Sequence, residues 1–175
     1  MQLVIFIGLQ ASGKTTFYHT HFALTHVHIS KDLMPKRNRA TRQAQLIEAA
    51  LQAGREVVVD NTNVTIADRA TVIQQGQTYG AEIIGYYFES RLRDCLERNT
   101  QRVGKARVPD TGVYMKALEL VRPSYEEGFH QLFYVKMALE GTFDIKVWSG
   151  SESYSDSCTK WTREVKLRDR AGFFM

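Results

Sequence analysis

The chain has 175 residues, 43% of them hydrophobic and 24% charged, with only three prolines, proportions that fit one globular domain large enough to bury a core. Its 23 Lys and Arg against 19 Asp and Glu leave a net charge of +4, which favours an anionic partner and argues against a strongly basic nucleic-acid coat or a disordered polyelectrolyte. Two cysteines, Cys95 and Cys158, stand far apart without a C-x-x-C spacing, so neither a disulfide framework nor a zinc site is expected and a reducing cytoplasm fits best.

The first apolar run, Leu3–Ile7, ends at Gly8. It is too short for a signal-peptide core or for a membrane span of about 20 residues, so a soluble chain is expected and the run reads as a buried strand. A helix over Lys14–Thr20 and a short strand over Val27–Ile29 follow. From Asn38 to Ala53 the residues Ala40, Ala44, Ile47, Ala50 and Leu51 recur at helical spacing, with Arg42, Gln45 and Glu48 facing water, and Gly54 stops the helix. Val57–Val59 is a strand ending in Asp60. Thr65 and Asp68 make a capping-box start for a helix carrying Ile66, Ala70 and Ile73. Ile83–Phe88 reads as strand and Ser90–Asn99 as helix. Over Thr100–Pro109 the apolar period is lost and Arg102, Lys105 and Arg107 appear, which predicts a mobile loop. A helix over Thr111–Leu120, a strand over Gln131–Val135 and an edge strand over Phe143–Trp148 complete the reading, with a Ser-rich, turn-like stretch over Ser149–Lys160. The alternation predicts an α/β fold: a mostly parallel sheet with helices on both faces.

Gly8-Leu9-Gln10-Ala11-Ser12-Gly13-Lys14-Thr15 matches G-x-x-x-x-G-K-[ST] between the first strand and the first helix. Glycines let the backbone wrap a phosphate, the helix start offers unpaired N–H groups, and a lysine there reaches the β- and γ-phosphates. Gly8, Ala11, Ser12, Gly13, Lys14, Thr15 and Thr16 are the expected contacts to ATP, with Thr15 also placed for Mg²⁺. This is a P-loop NTPase pattern. In such sheets ligands gather beyond the carboxyl ends of the strands, which singles out Ser30, Lys31 and Asp32, then Asp60, Asn61, Thr62 and Asn63, then Glu89 and Ser90. Phosphoryl transfer to a hydroxyl needs a carboxylate to take the proton and cations to stabilise the moving charge. Asp32 fits the first role; Asp60 fits an acid that holds Mg²⁺ or fixes the acceptor side. Arg102, on an aperiodic loop, suits a lid that closes over a triphosphate.

These blocks together resemble the P-loop kinases, and within them the polynucleotide 5′-hydroxyl kinase domains of nucleic-acid end-healing enzymes. The resemblance runs from about Val4 to Val135. It is carried by Gly8–Thr15, Val27-His28-Ile29-Ser30-Lys31-Asp32, Val59-Asp60-Asn61-Thr62-Asn63, Arg98-Asn99-Thr100-Gln101-Arg102, Val108-Pro109, and Pro123 with Glu127-Gly128-Phe129. It implies Asp32 as general base on a DNA or RNA 5′-hydroxyl, Lys14 and Thr15 on ATP phosphates and metal, Arg102 on the phosphates during transfer, and Arg98 as a further lid contact to the nucleotide. It also implies that Asp60, Thr62 and Asn63 line the acceptor side. Where such domains often carry an arginine for the acceptor's 3′-phosphate, three residues past the base, this chain has Pro35; Lys36 and Arg37 are the nearest substitutes. The phosphatase motif D-x-D-x-[TV] and the ligase motif K-x-D-G do not occur.

The expected organisation is a P-loop kinase domain over residues 1–140, with a lid near 99–109, and a C-terminal extension over 141–175. Nucleic-acid 5′ ends are the expected partner, and neither a membrane nor a protein partner is indicated. Two other functions stay open at this level: a kinase of the same fold for a nucleoside, sugar or antibiotic hydroxyl, and a non-catalytic module whose basic lid responds to ATP. His19, His21, His26 and His28 lack the carboxylate or thiolate that would complete a metal set. Cys95 reads as a buried structural thiol, and Trp148 and Trp161 as packing or base-stacking residues.

Overall fold

The protein, seen in a computed structural model that describes residues 1–138 and 141–149, is an α/β sheet structure. Strands β1 (Gln2–Ile7), β2 (Val27–Ile29), β3 (Val57–Asp60), β4 (Glu82–Phe88), β5 (Gln131–Met137) and β6 (Phe143–Val147) form one six-stranded sheet in the order β2-β3-β1-β4-β5-β6. All neighbours pair parallel except β6, which closes the β5 edge antiparallel. Helices α1 (Lys14–His21), α2 (Arg39–Gln52), α3 (Ile66–Thr78), α4 (Leu92–Thr100) and α5 (Asp110–Glu119) connect them. Cys158, Trp161 and the stretch after Ser149 lie outside the described residues.

The period-two pleat of β1 explains the layering. Leu3, Ile5 and Ile7 point to one face, where they join Val57, Val59, Ile83, Ile47, Leu51, Val72 and Ile73 under α2 and α3. Val4 and Phe6 point to the other, against Phe17 and Tyr18 of α1, Val58, Ile84 and Phe88. A strand buried on both faces has to be apolar throughout, and each such side chain contributes about 1.5–3 kcal/mol of burial. A third cluster, Leu9, Val64, Cys95, Val113 and Ala117, packs α4 and α5 against the segment that follows β1. Trp148 is buried beside Tyr87 and Tyr134, so its role is packing.

The predicted elements and the observed ones differ mainly at the faces of helices. The capping box of α3 forms as expected, Asp68 N–H donating to Thr65 Oγ1 at 3.0 Å. Its buried face, however, is Arg69, Val72, Ile73 and Gly76, while Ile66 and Ala70 are exposed. In α2, Ala40 is likewise exposed and Gln43 buried. In both helices a buried polar residue held by a distant partner, Arg69 by Glu127 and Gln43 by Asn61, takes a place that periodicity assigns to an apolar one. The aperiodic stretch after α4 contains a single 3-10 turn at Gly104–Ala106.

Candidate functional site

The turn from β1 into α1 owes its shape to three residues with positive φ, Gly8 (149°), Ala11 (60°) and Gly13 (98°). At Gly13 the φ of 98° strains any L side chain, and a Cβ there would also push the Met137 methyl, 2.3 Å away, aside. The loop is fixed from both sides. Gly8 N–H donates to the Thr62 carbonyl at 2.9 Å, and Leu9 N–H donates to Ser90 Oγ at 2.9 Å. Ser90 Oγ in turn donates to the Phe88 carbonyl at 2.8 Å. The Ala11 carbonyl accepts from Arg98 Nε at 2.8 Å, which joins α4 to the loop.

Lys14 is buried, and its Nζ donates to the Gly8 carbonyl (3.0 Å), the Leu9 carbonyl and Ser12 Oγ (3.2 Å). Burial lowers its pKa to about 8 from 10.5, against the raising fields of Asp60, Cys95 and Asp32, with Arg102 lowering it further. Charged side chains from β3, the lid and the turn after β2 therefore all act on this ammonium. Thr15, one residue on, is exposed and donates its hydroxyl to Asp60 Oδ2 at 2.7 Å. Asp60 ends β3 in register with Phe6 and is itself buried. Burial by itself would raise its pKa; the His28 hydrogen bond, the Lys14 charge and the Thr15 hydroxyl outweigh that and hold it below the usual carboxylate value. Thr15 and Asp60 thus present two hard oxygen donors beside the phosphate loop, a set suited to a cation that keeps water and phosphate in its remaining positions.

His28 was legible only as a strand residue, yet its Nε2 lies 3.0 Å from Asp60 Oδ2 and its ring stacks on Tyr18 at 3.9 Å. The contact crosses from β2 to β3, which no local pattern reveals. Among the described residues no group of three or more His, Cys, Asp or Glu could hold a metal. Cys95 is buried, and burial pushes its thiol pKa up.

Asp32 sits on a single 3-10 turn, Lys31–Leu33, just beyond β2. The turn's main chain is tied, Asp32 N–H to Ser30 Oγ at 3.3 Å and Lys31 N–H to Asn61 Oδ1 at 2.9 Å, while the Asp32 side chain is exposed. Lys36 and Arg37 are exposed on the same segment, and Arg39 Nε donates to the Met34 carbonyl at 3.2 Å.

The three residues after Asp60 divide. Thr62 lends its carbonyl to Gly8, and its side chain is half-buried. Asn63, expected on the acceptor side, is instead interior: it is 3% exposed at φ 44° and its Nδ2 donates to the Phe6 carbonyl at 2.7 Å. The β1 backbone at that point has a spare acceptor and the asparagine satisfies it. Behind it, Arg69 is wholly buried, paired with Glu127 through Nε–Oε2 (2.6 Å) and Nη2–Oε1 (2.8 Å). Its Nη1 donates to the carbonyls of Asn63, Val64 and Val121.

Arg102 is half-buried on the stretch after α4, with Nη1 3.4 Å from the Ala106 carbonyl. The two ends of that stretch are stapled by buried Asn99: its Nδ2 donates to the Val108 carbonyl (2.7 Å) and Asp110 Oδ1 (3.1 Å), and its Oδ1 accepts from Val108 N–H (3.1 Å).

This geometry agrees with comparison to known proteins. The model of the AAA domain family matches residues 3–126. The chain belongs to that family. A relative, the bifunctional polynucleotide phosphatase/kinase of Schizosaccharomyces pombe (strain 972), is 25% identical over 132 residues, which are 73% of this chain and 32% of that protein. The chain therefore spans about a third of the length of the curated relative it matches. Among solved structures, a gluconokinase from Sinorhizobium meliloti superposes with a TM-score of 0.59 at 18% identity, over 78% of this chain and 83% of that one. Chaetomium thermophilum Kti12 in complex with ADP-AlF3 gives 0.59 at 14% identity, over 95% and 97%. These likenesses show the fold. Family and neighbours are largely P-loop kinases, and among the described residues no helix is long and apolar enough to cross a membrane.

Proposed function

We propose that the protein is an ATP-dependent kinase that transfers the γ-phosphate to an alcohol, with the 5′-hydroxyl of a DNA or RNA end as acceptor. One observation carries this reading: Asp32 is an exposed carboxylate on the turn that directly follows β2, at the carboxyl-end rim of the sheet from which the phosphate loop also leaves β1. A base at that rim has access to an incoming hydroxyl and to the outermost phosphate. In the reaction, the acceptor oxygen forms its bond to the γ-phosphorus, the bond to the β–γ bridging oxygen breaks, Asp32 takes the hydroxyl proton, and ADP leaves. Lys14 and Arg102 stabilise the charge on the transferring group. Thr15 and Asp60 would hold Mg²⁺, which neutralises phosphate charge when bound.

An extended anionic acceptor is supported by the exposed cations Lys36 and Arg37 beside Asp32 and by the name of the fission-yeast relative. Pro35 favours the second reading, a small hydroxylated acceptor that lacks a phosphate to grip. Transfer of labelled γ-phosphate from ATP to 5′-OH DNA, 5′-OH RNA, nucleosides and sugars decides between them. The expected label falls on the oligonucleotides, and Asp32→Ala abolishes it while ATP affinity stays within a few fold, because a group used in the transition state need not contribute to ground-state binding. Label on sugars or nucleosides alone would replace the acceptor, and label on none would leave a nucleotide-binding module.

A further inference from the structure

The side chain of Asn61 takes no part in the transfer chemistry, yet it links the acceptor turn to the end of β3. The β2–β3 ladder ends at the pair Ile29↔Val59. Two residues further along each strand come Lys31 and Asn61, and there Lys31 N–H donates to Asn61 Oδ1 at 2.9 Å. A side-chain amide therefore supplies the next rung after the backbone of β3 has turned away. The other end of that amide is also held: Asn61 Nδ2 donates to Oε1 of Gln43 at 2.9 Å, and Gln43, on α2, is buried. Lys31 immediately precedes Asp32, and the remaining ties on the turn are within it or reach no further than Arg39.

We propose that Asn61 is a positioning residue that sets where Asp32 stands relative to the phosphate loop, with Gln43 as its brace. This rests on Asp32 being the base. The physical reason is leverage. Asp32 is exposed, so no packing holds its side chain, and its location follows from the main chain of one 3-10 turn. Across the sheet, the same β3–α3 segment presents the Thr62 carbonyl to Gly8. Asn61 thus ties the acceptor turn to the segment that also anchors the phosphate loop, and with the β2–β3 ladder and the buried Met34 it sets the spacing of base and loop. Displacement of a reacting group by about 1 Å costs up to about 10²-fold in rate.

The test has two arms, one independent of catalysis. In amide-resolved hydrogen exchange, Lys31 N–H should lose protection in Asn61→Ala and regain most of it in Asn61→Asp, whose carboxylate accepts from Lys31 while Gln43 turns its amide to donate. In transfer assays on a 5′-OH oligonucleotide, Asn61→Ala should lower kcat about 10- to 100-fold with ATP affinity and fold unchanged. Asn61→Asp should restore it to within a few fold. Gln43→Ala should give a smaller loss of the same kind, and the double variant Gln43→Ala/Asn61→Ala should be no slower than Asn61→Ala alone, since Gln43 acts through Asn61. If Asn61→Ala does not fold, the exchange and kinetics of Asn61→Asp and Gln43→Ala carry the test. Unchanged kcat in Asn61→Ala or Gln43→Ala, multiplicative losses in the double variant, or no rescue by Asn61→Asp would overturn this proposal while leaving Asp32 as base. Undiminished transfer by Asp32→Ala, or no transfer by the unaltered protein, would remove the base and this proposal with it.

Discussion

Lys14, in the turn after β1, and Asp32, in the turn after β2, stand in opposite surroundings. Lys14 is buried beneath its own loop with three oxygens around its ammonium, and the loop is held by Thr62, Ser90 and Arg98 from three different elements. Asp32 is exposed on a turn whose main chain alone is tied. On the kinase reading proposed above, a donor phosphate has the same shape whatever receives it, so its side of the site can be fixed by buried contacts, whereas the side that would admit the alcohol is an exposed turn. The difference teaches where substitutions should cost stability and where they should cost only function.

The largest expected effect lies under the fixed side. Arg69→Ala leaves the Glu127 carboxylate buried without its cation and removes a donor from the carbonyls of Asn63, Val64 and Val121, and should cost about 3–5 kcal/mol in denaturant unfolding. Asp32→Ala should change the same measurement by less than about 0.5 kcal/mol. Equal costs would erase the contrast.

A second effect is pH-dependent. The folded pKa of Lys14 is lowered by burial to about 8, against 10.5 for the ordinary side chain. Between these values the unfolded chain binds more protons than the folded one, so this group makes stability rise with pH across that window. ATP affinity should move the other way. Above pH 8 an anion can pair with Lys14 only after a proton is taken up, so affinity should weaken by up to about tenfold per pH unit. Calorimetry in buffers of different ionisation enthalpy should detect that uptake, and Lys14→Ala should show none.

The smallest effect sharpens the exposed side. If the acceptor is a polynucleotide, Lys36→Ala and Arg37→Ala should each make the slope of log affinity against log salt shallower by about 1, the share of a single phosphate, with unfolding unchanged. A slope that does not move would take these cations off the acceptor path.

What could be read in advance was what is local. The strand, glycine loop and helix over Leu3–His21 follow from a contiguous motif, and the capping box of α3 from four adjacent residues. What escaped depends on partners distant in sequence. Arg69 lies on the buried face of its helix because Glu127 and three carbonyls meet it there, and periodicity treats an arginine as a surface residue. The resemblance implies an acceptor-side place for Asn63 with Asp60 and Thr62, yet its amide turns inward to Phe6. His28 and Asn61 act across the β2–β3 pairing, and Asn99 closes a loop nine residues long, none of which has a signature in spacing or composition.

The buried Arg69–Glu127 pair carries a mechanical consequence. Because one guanidinium donates to the carbonyls of Asn63, Val64 and Val121 as well as to Glu127, the two loops it joins share a single anchor, and losing it would loosen both at once.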